Sequence, residues 1–196
     1  MMHSDYHIIL ASNSPRRKEL LSGLDIPYEV FTLPDIPENY PDTMDKEKVS
    51  EYLSLQKAKA YQHILKDDTL LITADTIVLL GEIILEKPKD AEDAKRMLRM
   101  LSGKTHKVIT GVSITTKEKQ KTFSDTALVT FENLTDEEIE YYVQKYKPFD
   151  KAGAYGVQEW IGYVAVKRIE GSYFNVMGLP IHSVYQSLKA FGVQMI

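Results

Sequence analysis

Apolar residues fall along this chain in two rhythms, short dense runs and runs spaced by three and four residues, and the two alternate. His7 to Leu10 (HIIL) is dense and predicts a short buried strand; Leu20, Leu21 and Leu24 then recur at helical spacing across Lys18 to Leu24. Ser14 and Pro15 mark where that helix begins, an N-cap followed by proline at the first helical position. Tyr28 to Leu33 (YEVFTL) predicts a second strand, and the polar, proline-interrupted Asp35 to Asp45 a loop that carries Glu38. Lys48 to Leu65 has helical periodicity through Val49, Tyr52, Leu53, Ala60 and Leu65. Thr69 to Leu80 (TLLITADTIVLL) is the most apolar segment, and its β-branched content predicts a central strand that turns at Gly81–Glu82 into IILEKP.

The second half continues the alternation. Asp90 caps a predicted helix that runs to Leu101 and stops at Ser102–Gly103, and Lys107 to Thr115 and Thr122 to Thr130 read as paired strands. Thr135 and Glu138 form a capping-box pattern ahead of a helix to about Tyr146. A glycine-punctuated stretch, DKAGAYGVQEW, follows. Tyr163 to Ile169 and Phe174 to Val176 are expected as strands, and Ile181 to Phe191 as the last helix. No internal repeat and no long linker interrupts the pattern, so the 196 residues make one domain or two tightly joined lobes.

Charge narrows the partners. A net charge of -4 and a pI near 5.8 argue against a broad nucleic-acid-binding face, so any anion site is local. There is no cysteine, which excludes disulfides and thiolate metal sites. MMHSDYHIILAS lacks the basic region and long apolar run of a signal peptide, and no apolar run is long enough for a membrane span; a cytoplasmic protein without a membrane partner is the expectation. The histidines His3, His7, His63, His106 and His182 have no paired metal-ligand spacing and are read as ordinary surface or core residues.

Two polar features resist a purely structural reading. Arg16 and Arg17 occupy the first turn of a helix, where the partial positive charge of the N-terminus favours acids. They either pair with surface carboxylates or, with Ser12 and Ser14, hold a phosphate at a strand-to-helix junction, and the phosphate reading is preferred. Asp75 sits inside an apolar strand, where an unpaired carboxylate would cost several kcal/mol, on the order given for buried ions. It either closes an Asx-turn between two short strands or stands at a strand end to bind a metal ion or activate water. Lys57, Lys87 and Glu38 are unremarkable singly. Gly153 and Gly156 would let backbone approach a ligand, and Gln158 offers a donor and an acceptor. The GxxxxGK[ST] and GxGxxG fingerprints are both absent.

Taken in order, LASNSPRRKELL, KAKA, ADTIVLLGEIILEKPKD, MLRMLSGKTHKVITGV, DKAGAYGVQ and GSYFNVMGLP resemble the Maf family of nucleoside-triphosphate pyrophosphatases over nearly the whole chain. The resemblance implies one domain over residues 1–196 with an α/β fold: a mixed, elongated sheet flanked by helices, in two lobes with a central cleft. It also implies a homodimer and a divalent cation, Mg²⁺ or Mn²⁺, bound by Asp75 and Glu38. By resemblance Asp75 is the general base, Glu38 the supporting acid, and Lys57 and Lys87 the phosphate-side lysines. Arg17, Thr76 and Gln158 match the dTTP/UTP-selective branch rather than the 7-methyl-GTP-selective one. Two departures stand out: Gln56 occupies a position where a glutamate is common, and Pro37 one where an acid is common. Both lower the expected metal affinity.

The implied reaction releases a nucleoside monophosphate and pyrophosphate from dTTP or UTP, with CTP and modified pyrimidine nucleotides as further candidates and nucleotide-pool sanitation as the role. Arg16, Lys57, Lys87 and the Ser-Asn-Ser turn would stabilise the polyphosphate, and Gln158 would read the imide edge of the base. No stable nucleic-acid partner is expected. The rival reading is a non-catalytic nucleotide- or nucleic-acid-binding regulator of cell division, which would use the same arginines without a reactive Asp75.

Overall fold

A computed structural model describes residues 5–194, which leaves His3 outside the described residues. In chain order it holds β1 (His7–Leu10), α1 (Pro15–Ser22), β2 (Glu29–Val30), α2 (Val49–Ala60), β3 (Thr69–Leu80), β4 (Ile83–Leu85) and α3 (Ala91–Leu101). There follow β5 (Thr105–Thr115), β6 (Gln120–Phe131), α4 (Asp136–Tyr146), α5 (Trp160–Val164), β7 (Val166–Glu170), α6 (Tyr173–Met177) and α7 (Ile181–Ala190). The strands form one seven-stranded sheet in the order β2-β1-β3-β5-β6-β7, with β4 added to β3. It is mixed: β1 runs parallel to both β2 and β3, whereas β4 on β3 and β7 on β6 are antiparallel.

The chain divides into two compact units, one of residues 1–75, 110–125 and 178–196, the other of residues 76–109 and 126–177. In the first unit Ile9, Leu71, Ala58 and Tyr61 make a buried cluster, and each such side chain withdrawn from water is worth ~1.5–3 kcal/mol for a leucine-sized group. Helix α2 reaches the sheet because Gly111 of β5 has no side chain: a Cβ there would lie 2.2 Å from the Ser50 carbonyl oxygen. In the second unit α3 and α4 are clipped together by Lys95–Glu140 (2.5 Å) and Arg99–Asp136 (2.8 Å). The Thr135/Glu138 capping box starts α4 as its sequence predicts, and Asp90 caps α3 by accepting from the Asp93 N–H at 2.8 Å. His106, Phe131 and Tyr155 stack edge to face in the same unit.

Three predicted strands need correction. YEVFTL pairs with β1 only through Glu29 and Val30, plus a bond from the Phe31 N–H to Leu10, after which the Leu33 N–H turns to the Tyr61 hydroxyl. The strand expected at Tyr163 starts at Val166, because Trp160–Val164 is helical and Gly162 lies against the Val157 carbonyl, where a Cβ would approach to 1.8 Å. Phe174–Val176 is helical instead of extended: Ser172 acts as a local cap, taking the Asn175 N–H on its hydroxyl and the Val176 N–H on its carbonyl, each at 3.3 Å. In both places β-forming side chains yield to a local backbone arrangement. The helix expected from Lys48 to Leu65 ends at Ala60 and continues only as a 3₁₀ turn, Gln62–Ile64.

Candidate active site

Asp75 is not in a turn. It lies in the middle of the 12-residue β3, 8% exposed, which removes the Asx-turn reading. Its compensation is Lys57, whose Nζ is 2.7 Å from Asp75 Oδ1 and 2.8 Å from Glu38 Oε1. A carboxylate in an apolar strand, a lysine on a helix and an acid in a loop thus meet at one ammonium. The cation is held in place by its helix. Ser54, one turn earlier on α2, accepts from Thr73 Oγ1 through its carbonyl at 2.8 Å, and its hydroxyl lies 3.0 Å from Ser113 Oγ on β5. Thr73 and Asp75, two residues apart on β3, therefore share a face and meet α2 at Ser54 and Lys57. The seryl and threonyl hydroxyls, with Gly111, set the height of α2 over the sheet.

The cations at the start of α1 divide in role. Ser14 caps the helix, and its hydroxyl accepts from the Arg17 N–H at 3.5 Å. Arg17 turns inward: Nε donates to the Gly178 carbonyl at 2.7 Å, and Nη1 to the Ala74 carbonyl at 3.1 Å and to Ser12 Oγ at 3.5 Å. Ser12 also accepts from the Ser14 N–H at 3.3 Å. Arg17 thus clamps the peptide immediately before Asp75. Burial pulls its guanidinium below its ordinary pKa, Asp75 opposes that pull, neighbouring Arg16 adds to it and Glu38 opposes it. It remains charged at neutral pH because an arginine starts so high. The placement of a cation in this first turn follows from what it holds.

Thr76 follows Asp75 in β3 and is partly exposed. Lys87 is exposed on the segment after β4. Gln158 is partly buried in the loop before α5, and its Oε1 is buried without a hydrogen-bond partner. These three belong to the second unit, while Ser12, Ser14, Arg16, Arg17, Glu38, Lys57 and Asp75 belong to the first. Gly153 carries φ +69° and presses on Val78, leaving 2.9 Å for a Cβ. Gly153 is thus a point at which this segment packs on β3.

No group of three or more His, Asp or Glu suited to a metal ion occurs among the described residues. The pair of Asp75 and Glu38 still fits the divalent cation that the resemblance implies. Mg²⁺ prefers one or two carboxylates supplemented by substrate phosphate oxygens and water rather than an all-protein cage. One lysine in contact with both carboxylates keeps them adjacent.

The residues that sequence patterns missed are Thr73, Ser54, Ser113 and Gly111, all of which act through partners distant along the chain. A family model described as Maf-like protein matches residues 7–191. A dTTP/UTP pyrophosphatase of Porphyromonas gingivalis is 58% identical over 189 residues, 95% of each chain. Another protein of that name, from Phocaeicola vulgatus, is 59% identical over 184 residues, 94% of this chain and 95% of that one. Among solved structures, the Staphylococcus aureus Ham1 protein matches with a TM-score of 0.53 at 18% identity, over 94% of this chain and 99% of the other, a likeness of fold. Buried Asp75 on its lysine, the arginine-bearing helix start and these matches along almost the entire sequence lead to one assignment: the chain belongs to the Maf family.

Proposed function

We propose that this chain hydrolyses dTTP and UTP to the nucleoside monophosphate and pyrophosphate. The observation that carries the reading is the meeting of buried Asp75 with Lys57 and, through that lysine, with Glu38, beside the clamped start of α1. The relatives' name, dTTP/UTP pyrophosphatase, supports hydrolysis over the regulatory alternative.

In this reading Asp75 orients a water at the α-phosphorus and takes its proton. Lys57 holds its Oδ1, so the other carboxylate oxygen is aimed by a fixed contact. Arg17 fixes the adjoining Ala74 carbonyl and hence the backbone from which Asp75 projects. Ser12, Ser14, Arg16 and Lys87 contribute hydrogen bonds and charge to the polyphosphate, whose leaving group gains negative charge as the bond breaks. A divalent cation, Mg²⁺ or Mn²⁺, held by Asp75 and Glu38, would supply further neutralisation of the phosphate charge. Gln158, with Thr76 and Arg17, is assigned to selectivity: its unsatisfied buried carbonyl suits the N3–H of uracil or thymine, while its amide N–H suits a neighbouring carbonyl. CTP and modified pyrimidine nucleotides are weaker candidates, and pool sanitation is the role.

The reading keeps residues 1–196 as a single pyrophosphatase domain acting as a homodimer in the cytoplasm without a stable nucleic-acid partner. Among the described residues no helix is long and apolar enough to cross a membrane. The test is a panel of nucleotides with Mg²⁺ or Mn²⁺, followed for pyrophosphate, for wild type and Asp75→Asn. The amide keeps the shape but cannot take the proton, so turnover drops ~10²–10⁴-fold. Full activity of Asp75→Asn, or preference for guanine nucleotides, overturns the assignment.

A further inference from the structure

The loop that carries Gln158 is held by a buried polar chain to which neither the sequence motifs nor the reaction assigns a part. Tyr142 on α4 is fully buried, yet its hydroxyl lies between two polar partners. It accepts from the Gly156 N–H at 3.0 Å and donates to Glu159 Oε2. The other oxygen of Glu159 takes Lys151 Nζ at 3.1 Å, and Lys151, 9% exposed, also reaches Asp150 at 2.9 Å. The backbone adds a bond from the Glu159 N–H to the Gly156 carbonyl at 3.0 Å. Gly156 is enclosed by the same groups: a Cβ on it would lie 2.9 Å from Lys151 Cε, 3.0 Å from Glu159 Cδ and 3.2 Å from Gln158 Nε2.

Gln158 is therefore bracketed. Gly156, two residues before it, and Glu159, the residue after it, are both tied to one tyrosine hydroxyl. Burial and the facing Glu159 hold that hydroxyl protonated far above its ordinary range, so it remains a donor. A buried lysine–glutamate–tyrosine chain is an expensive way to gain stability, since an apolar replacement often does as well. Such a chain does fix geometry: it gives the loop one hydrogen-bonding solution, and the side chain of Gln158, set between the tied residues, inherits it.

We propose that Tyr142, Glu159 and Lys151 are positioning residues for Gln158, and that their chain sets the enzyme's preference for uracil and thymine over cytosine. This rests on the reading of Gln158 as the base-selecting group. The mechanism is a matter of orientation: cytosine N3 accepts where uracil N3 donates, so the ratio between the two depends on which end of the amide faces the base. A loosened loop lets the amide present either end, and discrimination falls although the catalytic groups are untouched.

The test is the ratio of kcat/KM for UTP over CTP in wild type, Gln158→Leu, Tyr142→Phe and the double variant, with thermal unfolding recorded for each. Tyr142→Phe keeps the ring and removes only the hydroxyl. It is expected to lower the ratio by about tenfold, mainly through KM for UTP, and to have no further effect on the ratio once Gln158 is leucine. Lys151→Met serves if Tyr142→Phe fails to fold, with Lys151→Arg expected to restore the ratio. A ratio lost in Gln158→Leu but unchanged in folded Tyr142→Phe or Lys151→Met refutes the positioning role alone. Equal losses on UTP and CTP refute it too, since a general loosening of structure would act that way. A wild type with no preference for UTP refutes the base-reading role of Gln158 and the inference with it.

Discussion

Replacing Lys57 by methionine keeps most of the side chain's volume and deletes the charge that meets Asp75. The structure sets the scale. Lys57 and Asp75 side chains are 15% and 11% exposed and 2.7 Å apart, so their pair is largely withdrawn from water, whereas Glu38, 49% exposed, can be solvated without the lysine. Removing one partner of a buried pair costs ~3–5 kcal/mol because the other charge is left uncompensated, and an exposed pair contributes ~0–1. With Glu38 discounted and some water near Lys57, about 3 kcal/mol of stability is expected to be lost at pH 7. Urea unfolding of wild type, Lys57→Met, Asp75→Asn and the double variant measures it. On the Asp75→Asn background the lysine replacement should cost only about 1 kcal/mol, because the buried anion is gone, and the difference of about 2 is the coupling. A coupling below about 0.5 kcal/mol would mean that Lys57 does not compensate Asp75, and the reason given for a carboxylate inside β3 would be wrong.

Gly111→Ala places a methyl group 2.2 Å from the Ser50 carbonyl oxygen, so it should lower stability by ~1–3 kcal/mol and reduce kcat by moving α2 and Lys57; urea unfolding beside steady-state assays checks both. Arg17→Lys cannot reproduce the planar fork between the Gly178 and Ala74 carbonyls, so kcat should fall about tenfold on UTP and dTTP alike, whereas a loss confined to KM would make Arg17 a phosphate ligand first. Burial holds the His106 imidazole down at about 4 from its ordinary 6.5, so below pH 6.5 the unfolded chain binds a proton that the folded one refuses. Stability should fall by up to about 3 kcal/mol between pH 6.5 and 4 from this group, and His106→Gln should flatten that part of the profile of urea midpoints.

Local signals in the sequence carried most of the fold. The Asp90 cap, the Thr135/Glu138 box and the β-branched run Thr69–Leu80 each act within a few residues, and each forms the element it predicts. Phe174–Val176 and Tyr163–Val164 depart from their strand propensity because that propensity describes a surface to pack on, and here Ser172 and the close approach at Gly162 decide the backbone. The site was half legible. Asp75 was conspicuous as a charge in an apolar run, but nothing in spacing links it to Lys57, 18 residues away, or to the Arg17 clamp on Ala74, 57 residues away. The serine and threonine contacts that seat α2, and the Tyr142 chain behind Gln158, join residues whose sequence neighbourhoods are ordinary. Such contacts exist only once the strands are paired.

Attack by water at the α-phosphorus is the central claim, and isotope placement tests it directly. Under single-turnover conditions in ¹⁸O-water with UTP, one labelled oxygen should appear in UMP and none in pyrophosphate, and Asp75→Asn should slow the appearance of that label without moving it. Label in pyrophosphate, or release of orthophosphate with UDP, would contradict the account.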